Sequence, residues 1–481
     1  MSRRDRAWAA APFVVSTAAF VLYAVYSVSR HAQFETAGHD LGIFAVAVQK
    51  YAAFQLPVVP LQGLDTVLLG DHFHPILAAL APLWWVAPTP VTLLVAQAAL
   101  VAASILPVWR FTARRLTPPQ TLLVAVGYAL SWPLQAVIDY DFHEVAFAVP
   151  IIAWTIDLVD RERYGPALAV GCTLLLVRED MFLVVLMLGL LLLLRRRYAL
   201  AATAVGAAVA GYVIAVLWVI PAFAPSGTYR HLTLGAFGPD LPSALAAMMS
   251  DPVRTLTTLV TPDVKWQTLL WLFAPLAFLS LGSPYVLLAL PLVVTRFFSE
   301  REELWTHQFH YSATVAPILV LAAVDTVARL AQRFDRLRFL SWALPAVMAV
   351  TAVVGTVAIP SAYPFHRLVV GDAFERTAHM DAMRAALDLI PTGVCVEADD
   401  RALPHLTRNA VVTLPGTTQG LATWMLLDLT RPDVGWRDLT PESVMRDALG
   451  DGFRVVSSED GIVVLHREGP VDPRCAVDVR S

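Results

Sequence analysis

The chain has 481 residues, of which 57% are hydrophobic and only 15% charged, with a formal net charge of −4. An ordinary soluble domain carries about 25% charged residues, so this composition excludes a soluble globule, and the small net charge gives no support to nucleic-acid binding. Runs such as MFLVVLMLGLLLLL and SWALPAVMAVTAVVGTVAIP approach the roughly 20 residues that cross a bilayer, so the expected class is an α-helical multi-pass membrane protein.

The opening MSRRDRAWAAAPFVVSTAAFVLYAVYSV has a basic start and no convincing small-residue cleavage site, and reads as a signal anchor. Arg and Lys collect on the cytoplasmic side of short loops, so Arg3, Arg4 and Arg6 place the N-terminus inside. A first span over about 12–28 then leads to an outer segment, 29–90. Within it DLGIFAVAVQKYAAF and HPILAALAPLWWVAP are too short to span and are expected at the membrane interface. Spans near 91–109, 119–138 and 145–159 follow, with Arg110, Arg114, Arg115 and the DRERY turn inside. Two short apolar halves, GPALAVGCTLLLV and MFLVVLMLGLLLLL, are joined by RED at 178–180 and closed by Arg195, Arg196 and Arg197.

A span near 199–220 leads to a second outer segment, 221–266. Compact spans near 267–281 and 284–296, and longer ones near 312–330 and 339–359, bring the expected total to about eleven. The N-terminus is then cytoplasmic and the C-terminus outside. From 361 the composition becomes that of a soluble unit. GVCVEAD, AVVTLPG, ATWMLLDL and GIVVLHRE are strand-like, and FERTAHMDAMRAALDLI and PESVMRDALGD are helix-like. The expected organisation is a transmembrane domain over 1–360 and an extracytoplasmic α/β domain over 361–481. Lys50 and Lys265 are the only lysines; Arg usage with abundant Ala and Val suggests a GC-rich bacterial genome and so a bacterial plasma membrane. Three cysteines exclude a disulfide scaffold; Cys172 lies in an apolar run, while Cys395 and Cys475 can pair if the tail is outside the cell.

This topology puts every unusual polar cluster on the outer side: GHDLG (38–42), GDHFHP (70–75), DYDFHE (139–144), RED (178–180) and THQFHY (306–311). Ionisable groups at membrane depth are costly, so their convergence points to a site. Asp40 has two readings, an N-cap for the short helix after it or a general base with His39 or Glu35 beside it. In GDHFHP, Pro75 with Asp71 or His74 can start a helix. Alternatively Asp71, His72 and His74 contact a sugar or phosphate, or hold a divalent metal, for which two histidines and one acid are an incomplete set. His143 and Glu144 stand at a span end, where solvated polar residues are ordinary. Arg178 either pairs with Glu179 or Asp180, or serves as a phosphate ligand, which a guanidinium suits. His307, His310 and Tyr311 precede a span and are candidates for substrate contact. No Walker loop, Rossmann glycine pattern, HExxH, GxSxG or CxxC pair is present in a suitable context, so no nucleotide, zinc-protease or serine-hydrolase chemistry is supported.

The ordered motifs HDLGIF, GDHFHPILAALAPLWW, DFHEVAFAVP, VREDM and HYSATVAPIL, with the tail IPTGVCVEADDRALPHLTRN, resemble a bacterial multi-pass family known as domain of unknown function 2079. That family is similar in layout to the C-type (GT-C) glycosyltransferases, which use polyprenyl-phosphate-linked sugars at the outer face. The resemblance implies Asp40 as the catalytic base, and Arg178, His307 and His310 as holders of the lipid phosphate. It also implies that a divalent metal, if used, would be sought at Asp71, His72 or His74. Ala45 stands where an acid or amide is expected in relatives. Competing readings are a transporter or lipid-handling protein without chemistry, and a structural envelope protein whose outer domain recruits partners.

Overall fold

The computed structural model describes residues 3–231, 234, 237–238, 241–417, 420–435, 439–470 and 472–475. Among these, six helices are long and apolar enough to cross a membrane: Trp8–Ala32, Pro90–Ala113, Pro118–Asp139, Tyr198–Phe223, His310–Arg333 and Asp335–Ala358. Their packing ranks them. His310–Arg333 is 89% buried within the chain and forms the centre, whereas Trp8–Ala32 is 11% buried and sits at the rim. The other expected crossings are shorter. Val145–Asp160 has 16 residues and Phe182–Leu194 has 13. The pair expected over 267–296 breaks into Asp263–Phe273, a series of 3-10 turns and Leu290–Phe298. Pro275 and Pro284 remove donors from that stretch, and Ala277 and Phe278 take positive φ.

Lipid tails are as apolar as leucine, so helices in a bilayer associate by close packing rather than by escape from water. Gly127 is one such contact: a Cβ there would lie 2.8 Å from the Met348 backbone, so only glycine lets Pro118–Ala129 approach Leu340–Ala358.

Helix Val145–Asp160 sets the distance between two polar ends, about 24 Å at 1.5 Å per residue. Its last residue, Asp160, joins an ionic network in which Arg114 and Arg115 pair with it and Arg114 also reaches Asp157 at 2.7 Å. Arg115 lies 3.6 Å from Asp325, which accepts from Ser283 and pairs with Arg329. Three of the Arg clusters expected on one side of the membrane, those containing Arg114, Arg195 and Arg329, therefore do meet at one end, Arg195 through the Tyr285 hydroxyl. The acids within this network are Asp157, Asp160 and Asp325.

Beyond the bundle lies a five-stranded sheet of order β2-β1-β3-β5-β4. Its strands are β1 (Cys395–Ala398), β2 (Val411–Thr413), β3 (Trp424–Asp428), β4 (Arg454–Glu459) and β5 (Ile462–His466). β1 is parallel to both β2 and β3, while β5 is antiparallel to β3 and β4. Four strands fall where β-branched runs predict them. β4 was not anticipated, because its sequence RVVSSE is largely exposed and offers no buried alternation. Ala378–Asp388 and Pro441–Gly450 are the two expected helices. Cys395 and Cys475 form a disulfide.

The sheet does not bury its apolar face alone. Phe34, Leu41, Ala45, Leu61, Leu403 and Val464 belong to one continuous core that runs from the 34–96 segment into the sheet. Ala45 is fully buried there, where an acid or amide would require a partner.

Candidate functional site

The polar cluster lies at the end of the bundle that carries the sheet, and Asp40 is held in a π-helical turn, Gly38–Gly42. The N-cap reading of Asp40 does not hold. No side chain caps the following helix Ile43–Ala52, and the Asp40 side chain instead meets His143 Nε2 at 3.3 Å. Burial works against protonation of His143, but the hydrogen bond and charge of Asp40 outweigh it and hold the ring above its ordinary pKa. The Tyr140 side chain also lies beside Asp40. His310 stacks on His143 with ring centroids 3.9 Å apart, and Tyr311 tilts against His310 at 4.3 Å. Behind this group Asp141 accepts from the Ala37 amide at 2.5 Å and from Arg30 at 3.3 Å.

A second layer is built on Glu144 and Arg178. The guanidinium grips Asp180 through two bonds of 2.7 and 2.8 Å and approaches Glu144 at 3.4 Å. The internal Arg178–Asp180 pair anticipated from RED is thus present, and Arg178 adds a bridge to the DYDFHE segment. His74 is buried beside Phe44, and burial pushes its ring down to about 4 despite the charge of Glu144. His74 also occupies the N-cap position of Pro75–Leu80 without a side-chain capping bond, so Pro75 alone supplies the helix-start signal there.

The third layer joins GDHFHP to the other half of RED and to the 221–266 segment. Glu179 turns away from Arg178 to meet His72 Nδ1 at 2.6 Å, the Phe73 amide at 2.9 Å and the Tyr229 hydroxyl at 2.9 Å. Burial disfavours the charged form of His72, yet the Glu179 charge and hydrogen bond lift the ring to about 9. Asp71 accepts from Gln62 at 2.9 Å and lies 2.7 Å from His231 Nε2, whose ring stacks on His72 at 4.0 Å.

Asp71, His72 and His231 each offer a ligand atom within 4.8 Å of the others. This set differs from the expected one. His74 is directed elsewhere, and His231, 160 residues from Asp71, takes its place. One carboxylate and two imidazoles are three ligands, one short of a closed zinc site.

Asp40, His143, Glu144, Arg178, His310, Tyr311, Asp71, His72 and His74 are therefore linked through contacts into one cluster. Two predicted residues stand apart. His39 turns toward Asp400 on the sheet, at 3.8 Å. His307 stacks on Trp271 at 5.0 Å and meets the edge of Trp132. Those two tryptophans line a small apolar cavity with Leu319, Met348 and Tyr363. None of the acids of the polar cluster lines this cavity.

Sequence reasoning missed Tyr140, Tyr229, His231 and Arg296. Arg296 is 8% exposed and donates to the carbonyls of Leu304, Thr306 and Tyr311 and lies 3.2 Å from the Ser312 hydroxyl. It thereby holds the segment that carries His307, His310 and Tyr311. Nδ1 of His310 and Nδ1 of His74 are buried without a partner among the described residues, so each retains capacity to bond a ligand.

The fold has a counterpart among solved structures. The chain is similar to the crystal structure of ArnT from Cupriavidus metallidurans bound to undecaprenyl phosphate. The TM-score is 0.51 at 13% identity, over 94% of this chain and 97% of that one. At that identity the likeness concerns the fold. Residues 30–464 match the family model described as "Predicted membrane protein (DUF2079)", and the chain belongs to that family. No curated protein matches the chain.

Proposed function

We propose that the protein is a glycosyltransferase that moves a sugar from a polyprenyl-phosphate donor to a cell-envelope acceptor. The observation that carries this reading is the paired Asp40 and His143, stacked on His310 with its buried unpartnered Nδ1, in the same cluster as Arg178. Asp40 takes the proton of the acceptor hydroxyl, and the oxygen attacks the anomeric carbon. The bond from that carbon to the phosphate oxygen breaks, and polyprenyl phosphate leaves with the electron pair. Arg178 and His310 stabilise the departing negative charge, while His143 and Tyr140 fix the Asp40 carboxylate. The ArnT structure, with its bound undecaprenyl phosphate, supports the donor class.

The site faces outward in this reading, with about eleven crossings, a cytoplasmic N-terminus and the sheet outside. The Arg-rich network at the far end of the bundle supports that orientation, and so does the disulfide, a bond of oxidising compartments. Asp71, His72 and His231 would hold a divalent metal, which would supply further positive charge beside the phosphate.

The test uses purified protein in lipid nanodiscs with labelled undecaprenyl-phosphate-linked hexose or pentose, reading release of undecaprenyl phosphate. Asp40→Asn should lower turnover by about a thousandfold or more and leave donor binding intact. Turnover by Asp40→Asn at the wild-type rate would remove the central residue. Donor binding without turnover in the wild type would favour a lipid-handling protein instead.

A further inference from the structure

The turn that carries Asp40 has no cap of its own. Ala37 precedes it in an extended conformation and supplies no side-chain bond. The first amides of such a turn need acceptors, and two distant elements provide them. The Ala37 amide donates to Asp141, after helix Trp132–Asp139. The next two donate to Asp400, which follows β1. Gly38 N–H reaches the Asp400 carbonyl at 2.7 Å, and His39 N–H reaches Asp400 Oδ1 at 3.0 Å, across 361 residues of sequence. Asp400 is 8% exposed, and Arg401 beside it donates to the Phe34 carbonyl at 3.5 Å. Gly38 is required by the same contact. A Cβ there would lie 2.6 Å from the Leu403 side chain and 3.1 Å from Asp400 Oδ1.

The place of Asp400 in the sheet gives this meaning. β1 has parallel neighbours on both sides, with β2 on one and β3 on the other. In sheets of this kind the crevice outside the carboxyl end of such a strand is where a ligand sits. Here the chain's own Phe34–His39 segment occupies that position and ends one residue before Asp40.

We propose that Asp400 is a positioning residue for Asp40: the sheet grips the Gly38 and His39 amides and thereby aims the Asp40 carboxylate at His143. This rests on the reading of Asp40 as the acting base. Asp400 touches neither substrate nor the reacting atoms, and it works as a hydrogen-bond acceptor rather than through its charge.

Three full-length variants test it in nanodiscs: Asp400→Ala, Asp400→Asn and Gly38→Ala. In hydrogen exchange read by mass spectrometry, the wild-type amides of Gly38 and His39 should exchange as slowly as those of β1. Asp400→Ala should speed exchange at His39, and Asp400→Asn, which keeps the acceptor oxygen, should restore protection. With labelled undecaprenyl-phosphate-linked sugar, Asp400→Ala and Gly38→Ala should lower kcat by about tenfold to a hundredfold, the cost of a misplaced group. The KM for the donor should stay unchanged, because Arg178 is untouched, and Asp400→Asn should keep most of the rate. Fast exchange at 38–39 in the wild type, or equal loss in Asp400→Asn and Asp400→Ala, overturns the proposal. So does a fully active Asp400→Ala beside an inactive Asp40→Asn. If Asp40→Asn is itself fully active, the enzymatic reading fails instead, and the exchange data still decide whether Asp400 holds the turn.

Discussion

Asp399 and Asp400 are adjacent at the end of β1, yet their surroundings give them different tasks. Asp400 faces the Asp40 turn, whereas Asp399 is 1% exposed and receives the Arg401 amide at 3.0 Å. Burial pushes Asp399 up to about 6, against the pull of that amide and of Arg431. An acid whose folded value lies above its unfolded value of about 3.9 favours the folded state below that pH. It loses this contribution as pH rises through about 6. Asp399→Asn, which keeps the acceptor oxygen, should therefore match the wild-type Tm near pH 4 and exceed it near pH 8. Parallel melting curves over that range would show that the folded protein solvates the charged carboxylate well. Residues of this kind were only partly legible in the sequence. Asp40, His72, Arg178 and His310 announced themselves as polar groups interrupting apolar runs. His231 and Asp400 did not, because each is an ordinary loop residue until a partner 160 or 361 positions away is brought beside it.

At the scale of elements, the 299–314 segment depends on one buried side chain. Phe309 has φ 63° and ψ −177°, a region that costs a non-glycine residue about 1–3 kcal/mol and persists only when neighbours over-determine it. Arg296 provides that constraint through its bonds on both sides of Phe309. Arg296→Met should destabilise the protein by about 3 kcal/mol or more, since three carbonyls lose their donor. It should also lower turnover by releasing His310, and Arg296→Lys should recover only part, lacking the planar fork. An unchanged Tm in Arg296→Met would mean that the segment holds its shape without the guanidinium. Periodicity located the long helices well because bilayer thickness imposes a minimum length. It did worse over 267–296, where prolines and two positive-φ residues break the backbone into short turns. β4 escaped notice because a strand exposed along most of its length carries no apolar alternation.

At the scale of the whole molecule, the sheet, the 34–96 segment and the bundle end act as one body through a shared core. The Cys395–Cys475 disulfide closes a loop of sequence separation 80 and anchors the chain at the start of β1. Cys475→Ser should lower the stability of this unit by about 2–5 kcal/mol, seen as a lower Tm and faster proteolysis of the C-terminal region. Equal protease lifetimes for variant and wild type would show that the core suffices alone. The grip of Asp400 on the Asp40 turn also has a consequence for biosynthesis. Residues 38 and 39 emerge from the ribosome early, and their acceptor emerges 361 positions after His39. Until β1 has been made and folded, the turn lacks the Asp400 acceptors. A nascent or truncated chain therefore carries the acids and histidines of the cluster while the Asp40 turn still waits for its acceptor, so local order at residues 38 and 39 depends on completion of the sheet.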